Sequence, residues 1–187
     1  MDRRTALCLT AGLALGAAAC AATGAQPRYT ISAGTLQRAA AERFPLRYPV
    51  AGLIELEVAP PQLTLRPERN RIASTLPVSA AGPALQQRYG GQLDLEFGLR
   101  YEPSDQTVRA HQLEVRSLRL PGLSPGAQAL INGYLPALAR EALGDVVLHQ
   151  LQPGDLALAD GLGFQPDTLT VTADGVVVGF APRTGAR

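Results

Sequence analysis

The chain has 187 residues, 17 of them basic and 16 acidic, and contains neither lysine nor tryptophan. A formal net charge of +1 leaves no cationic footprint for nucleic acid. Two cysteines, Cys8 and Cys20, both near the N-terminus, exclude a disulfide scaffold and a zinc site built on thiolates.

In chain order, Met1-Asp2-Arg3-Arg4 is a charged start and Thr5 to Ala19 an apolar run closing on Ala17-Ala18-Ala19. That order is an export signal rather than a folded element. A spanning helix needs about 20 strongly apolar residues, and this run is shorter and rich in Ala and Gly. Cys20 follows the small residues, where a bacterial lipoprotein carries its acyl chains. Ala17 stands where the usual lipobox has leucine. Ordinary cleavage after Ala19, Ala22 or Ala25 is the alternative, and it leaves a soluble periplasmic protein. Ala21 after an acylated Cys20 points to outer-membrane sorting by analogy with enteric bacteria. The expected organisation is a signal peptide over 1–19, a tether over 20–28 and one domain over 29–187. Loss of 1–19 removes Asp2, Arg3 and Arg4, leaving 15 basic and 15 acidic residues.

Tyr29-Thr30-Ile31 reads as a short strand. Ser32 is placed to cap a helix over 33–44, with Leu36, Ala40 and Phe44 on one face. Pro45 and Pro49 bracket its exit. Ile54, Leu56 and Val58 alternate with Glu55 and Glu57, as in a half-buried strand, and Leu63 and Leu65 resume the alternation after Pro60-Pro61. A proline pair there belongs at an edge or bulge. Residues 69–79 repeat the pattern through Ile72, Leu76 and Val78. Leu93 to Tyr101 is the cleanest strand, apolar at every odd position. Glu102 to Asp105 turns the chain, and 108–120 returns as its partner. The apolar phase slips there from Leu113 and Val115 to Leu118 and Leu120, predicting a bulge near Ser117.

Ser124 and Pro125 open the longest helix, where proline's missing N–H costs little. Its apolar face is broad, running from Ala127 through Leu130, Ile131, Tyr134, Leu135 and Leu138 to Leu143. Pro136 lies inside and predicts a kink. Gly144 fits the stop. A short strand at 146–148, a short helix over 155–162 and a terminal hairpin turned at Ala173-Asp174-Gly175 complete the chain.

Candidate chemistry mostly fails on physics. Gly122-Leu123-Ser124-Pro125-Gly126 matches the nucleophile elbow of serine hydrolases. There the residue after the serine donates its N–H to the oxyanion, and Pro125 has none. Helix capping explains Ser124. His111 and His149 have no nucleophile or ligand set at suitable spacing, so no metal site and no cofactor is expected. Glu55 and Glu57 read as the wet side of a strand. Gly90-Gly91 reads as a turn, lacking the Lys and Ser/Thr of a phosphate loop. Arg66, Arg69 and Arg71 read as a solvated loop, with anionic headgroup contact as the alternative.

The faces then fix an architecture. Antiparallel strands with one apolar face each, and one helix with a wide apolar surface, give an α+β domain. A strongly curved antiparallel sheet wraps around the long kinked helix, with a short N-terminal helix beside it. The order of features resembles the YceB-like lipoproteins of Gram-negative bacteria, a family described only as a domain of unknown function. Tyr29-Thr30-Ile31-Ser32 and the helix Ala129-Leu130-Ile131-Asn132-Gly133-Tyr134-Leu135-Pro136-Ala137-Leu138 carry the resemblance, which runs from Tyr29 to Phe180. The family is similar in turn to the tubular lipid-binding superfamily, which implies a sheet curled around a helix and an apolar tube for lipid.

The expected function is therefore an exported lipoprotein, held to the membrane through acylated Cys20, that binds a lipid or fatty-acyl ligand. Candidate lining residues are Leu95, Phe97, Leu99, Val115, Leu130, Tyr134 and Leu138, because alanines and glycines around them leave room. The alternative is a solid adaptor that binds a protein partner through an exposed strand edge. An enzyme is the weakest reading, for want of a reactive group.

Overall fold

The computed structural model describes residues 26–144 and 146–183. Cys20, the expected signal run over 1–19 and the first part of the expected tether lie outside the described residues. Ten strands and three helices follow in the order β1 (Arg28–Ser32), α1 (Ala33–Ala41), β2 (Leu46–Val50), β3 (Ile54–Val58), β4 (Gln62–Arg66), β5 (Arg71–Ala81), β6 (Tyr89–Glu102), β7 (Thr107–Arg119), α2 (Pro125–Leu143), β8 (Val147–Gln150), α3 (Pro153–Gly161), β9 (Phe164–Val171) and β10 (Gly175–Pro182). The architecture is α+β, dominated by a strongly curled antiparallel sheet that forms a half-barrel.

The strands divide into two sheets rather than one. The larger has the order β2-β3-β5-β6-β7-β8, with β4 also paired to β5; the smaller has the order β1-β10-β9. Strand β5 is shared. Its end over Val78–Ala81 pairs with β3, and its start over Arg71–Thr75 pairs with β4. Between the two lie Ala59, Pro60 and Pro61. A proline has no N–H for a ladder, so one edge breaks into two short strands at this pair. Ala59 still donates its N–H to the Pro77 carbonyl across the gap.

Alternation places Ile72, Ser74, Leu76, Val78 and Ala80 of β5 on the inner face, beside Leu93, Leu95 and Phe97 of β6. Strand β7 slips register against β6 twice. The first slip skips Arg116, one residue from the expected bulge at Ser117. The second lies at Gln112, whose φ of 50° is left-handed. Each extra residue adds local twist and bends the sheet. Arg71 braces the second slip by donating to the Gln112 carbonyl at 2.7 Å.

Two further expectations fail. Strand β2 runs through Pro49, which sequence reading assigned to a helix exit. The strand has a neighbour only on its β3 side, so the missing N–H breaks no ladder. Gly90-Gly91 is not a turn but part of β6, paired with Ser79 and Val78. A Cβ at Gly91 would stand 1.9 Å from the Arg119 carbonyl oxygen, so that crossing admits only glycine.

Both predicted helix caps form. The Ser32 hydroxyl accepts the Thr35 N–H at 3.2 Å, and the Ser124 hydroxyl accepts the Ala127 N–H at 3.4 Å. Helix α1 touches β4 and β8, whereas α2 touches β7 and β2. Among the described side chains of α2, the buried stripe is Ile131, Leu135 and Ala139. No helix of the described residues is long and apolar enough to cross a membrane.

Two side-chain amides act as one-residue strands. Gln37 of α1 donates to the Pro61 carbonyl at 2.7 Å and accepts the Leu63 N–H at 2.9 Å, closing the free edge of β4. Asn70, in the turn between β4 and β5, does the same for β9. It donates to the Leu169 carbonyl at 3.0 Å and accepts the Val171 N–H at 2.7 Å. Each sheet thus has an edge sealed by a residue from outside it.

Candidate functional site: an apolar cavity at the seam of two cores

The buried side chains form two clusters. One gathers Leu36 and Ala40 of α1, Ile72, Phe97, Val108, Ala110, Val146, Leu148, the β1 and β10 residues Ile31, Val176, Val178 and Phe180, and Leu156 of α3. The other gathers Val50, Ile54, Leu56, Leu76, Val78, Leu93 and Leu95 against Ile131 and Leu135 of α2. The larger sheet supplies both, one cluster toward each end.

They do not close on one another everywhere. A cavity of about 320 Å³ lies on the seam, walled by Ala40, Phe97, Ala110, Val146 and Leu148 from the first cluster and by Phe44, Leu46 and Leu95 from the second. Pro61 and Arg43 complete its lining. Its origin is local. Ala40 and Ala110 face the space with single methyl groups, and the break at Pro60-Pro61 withdraws the strand edge. Arg43 brings the only charge to a wall otherwise of hydrocarbon. Its volume is at the small end of the roughly 300–1,000 Å³ typical of ligand pockets.

Of the candidate lining residues, Leu95 and Phe97 face this cavity. Leu99, Val115, Leu130 and Tyr134 do not line it. Leu99 packs at the margin of the first cluster, and Val115 and Leu130 at the margin of the second. Tyr134 is 43% exposed on the outside of α2. The side chain of Leu138 lies outside the described residues. Sequence reasoning missed Ala40, Ala110, Phe44, Leu46 and Arg43. Phe44 carried a signal through its helical spacing with Leu36 and Ala40; the alanines carried none.

The outer face of the larger sheet is polar and internally paired. Glu96, 7% exposed, sits beneath Arg69 at 3.3 Å, Arg71 at 3.2 Å and Arg116 at 3.8 Å. Two of the three loop arginines are therefore committed to a carboxylate. Asp94 accepts from Ser117, Gln92 and Thr75 at 2.7, 2.6 and 3.2 Å and pairs with Arg119 at 2.6 Å. Burial works against its charge, but these donors outweigh it and hold its carboxyl below the usual range. Glu57 pairs with Arg47 and Arg88, as befits the wet side of β3.

His149 packs across the two sheets. Its ring stacks on Tyr29 of β1 with centroids 5.8 Å apart, and its Nε2 lies 3.3 Å from the Tyr29 hydroxyl. Burial pushes the imidazole below its ordinary 6.5, against the opposing pull of the Asp155 carboxylate. Burial and the same carboxylate raise the Tyr29 phenol. A lowered histidine pKa means that the unfolded chain takes up the proton first on acidification. Stability is therefore expected to fall as pH drops below about 6.5, before the carboxylates titrate. Urea midpoints measured from pH 7.5 to 5.5 check this, and His149→Phe is expected to flatten that part of the profile.

Among the described residues no group of three or more His, Cys, Asp or Glu is arranged to hold a metal ion. No known protein-family model matches this chain, and no curated protein is significantly similar to it.

Proposed function

We propose that this chain is an exported envelope lipoprotein whose domain holds a lipid or other apolar ligand between its helices and its curled sheet. The observation that carries the reading is the hydrocarbon-walled cavity on the seam between two otherwise close-packed clusters. The pocket is half open to solvent and its walls are leucine, phenylalanine, valine and alanine, so an apolar guest that fills it takes that hydrocarbon surface out of water. On this reading the sheet wraps α2, Pro136 opens the helix enough to let the guest enter, and Cys20 carries the anchoring acyl chains on the periplasmic side of the outer membrane. The likeness to YceB-like lipoproteins and to tubular lipid-binding domains supports the same picture.

The test is chemical. Protein purified without detergent is expected to release bound lipid on organic extraction, seen by native mass spectrometry as a mass that denaturation removes. Ala40→Leu, which adds three carbons into the cavity from a helical position, is expected to reduce uptake of a fluorescent fatty acid at least about tenfold while leaving the fold intact. Protein that carries no lipid, and takes up none, sinks the proposal.

One further observation favours the adaptor reading. Leu158 and Leu162, one helical turn apart at α3, are 72% and 61% exposed. Crosslinking in cells through a photoreactive residue at Leu158 distinguishes it. A single specific protein adduct, combined with an empty cavity, would replace the ligand reading.

A further inference from the structure

We propose that the ligand of the seam cavity is a single-chain amphiphile with an anionic head, and that Arg43 holds that head. The inference rests on the cavity being a ligand site and adds the class of ligand. Two observations carry it.

The first is the charge of the lining. Every wall residue but one is apolar, and the exception is a cation at the exposed lip, where α1 ends and the chain turns toward β2. The second is the state of that cation. Arg47 and Arg88 share Glu57, Arg69, Arg71 and Arg116 share Glu96, Arg119 holds Asp94 and Arg183 holds Asp160. Arg43, like Arg28, Arg38 and Arg66, has no polar partner among the described residues, and of these four only Arg43 lines the cavity.

Size selects the tail. A space near 320 Å³ is at the lower limit for ligand pockets and suits one chain rather than a pair. Its walls offer no side-chain donor or acceptor besides Arg43, so the tail carries no polar groups. A guanidinium binds carboxylate or phosphate through two parallel N–H donors. Fatty acids and single-chain phosphate esters share that chemistry.

The experiment displaces the neutral probe N-phenyl-1-naphthylamine from the purified protein with dodecanoate, dodecyl phosphate, dodecanol or dodecyltrimethylammonium, each below its micelle concentration. A charge-assisted hydrogen bond at an exposed site is worth about tenfold in affinity. Dodecanoate is therefore expected to displace at about one-tenth the concentration of dodecanol, and the cationic amphiphile to be weakest. The dodecyl phosphate arm separates a phosphate-headed source from a fatty acid. Arg43→Ala is expected to bring dodecanoate level with dodecanol while leaving dodecanol unchanged, Arg43→Lys to keep most of the preference, and Arg140→Ala to leave it intact.

Equal displacement by anion and alcohol in the natural protein overturns the inference but leaves the cavity as an apolar site. So does a preference that survives Arg43→Ala or disappears with Arg140→Ala. Failure of all four amphiphiles overturns the ligand reading itself.

Discussion

Gln37→Ala is expected to destabilise the protein by about 2 kcal/mol, Asn70→Ala by as much or slightly more, and the double variant by about 4. Each substitution strips one backbone N–H and one carbonyl of their only side-chain seal, Leu63 and Pro61 in one case, Val171 and Leu169 in the other. A net hydrogen bond contributes about 0.5–1.5 kcal/mol, and a partly buried group left unpaired costs more. Asn70 has a φ of 53°, which asparagine tolerates better than alanine. Asn70→Gly separates the two effects, because it keeps the left-handed backbone and loses only the amide. Urea denaturation of the four proteins checks the sum. Costs below about 0.5 kcal/mol for both single variants would mean that water replaces the amides without penalty.

Ile131→Ala is expected to cost about 3–4 kcal/mol. The described buried side chains of α2 are Ile131, Leu135 and Ala139, and Ile131 has no exposed surface. Its removal opens a cavity in the second cluster, where α2 meets β7 and β2. Tyr134 in the next turn is 43% exposed, and Tyr134→Ala is expected to cost less than about 1 kcal/mol. The contrast is the informative part. Equal costs for the two would place the helix differently against the sheet. Hydrogen exchange adds spatial resolution, since Ile131→Ala should loosen amides of β2 and β3 before those of β9 and β10.

What sequence reveals here depends on range. Alternation along Leu93–Tyr101 gave the strand and its inward face correctly, so Leu95 and Phe97 were legible as wall residues. The phase slip around Ser117 exposed a bulge for the same reason, since period-two patterning registers a single inserted residue. Caps at Ser32 and Ser124 are local chemistry and were readable. Pairings between distant segments were not. Nothing in Arg28–Ser32 states that it joins β9 and β10 in a sheet of its own. Prolines and glycines misled where neighbours overrode their usual meaning, at Pro49 on a strand with one paired edge and at Gly91 under the Arg119 carbonyl. The cavity was least visible, because it is made by what is missing at Ala40 and Ala110. The breadth of the α2 stripe, read from spacing alone, placed Leu130 and Tyr134 in the lining. Spacing shows which side chains share a face but not how much of that face its neighbours cover.

The broken rail formed by β3 and β4 sets how the molecule tolerates changes in length. In an uninterrupted strand an inserted residue turns every later side chain inside out. Here each fragment is registered on its own, one by its hairpin with β2 and the other by the tight turn through Pro67–Arg69 that returns it along β5. An extra residue at Pro60-Pro61 is therefore absorbed where it arises, and the wall of the hollow moves without any side chain changing sides.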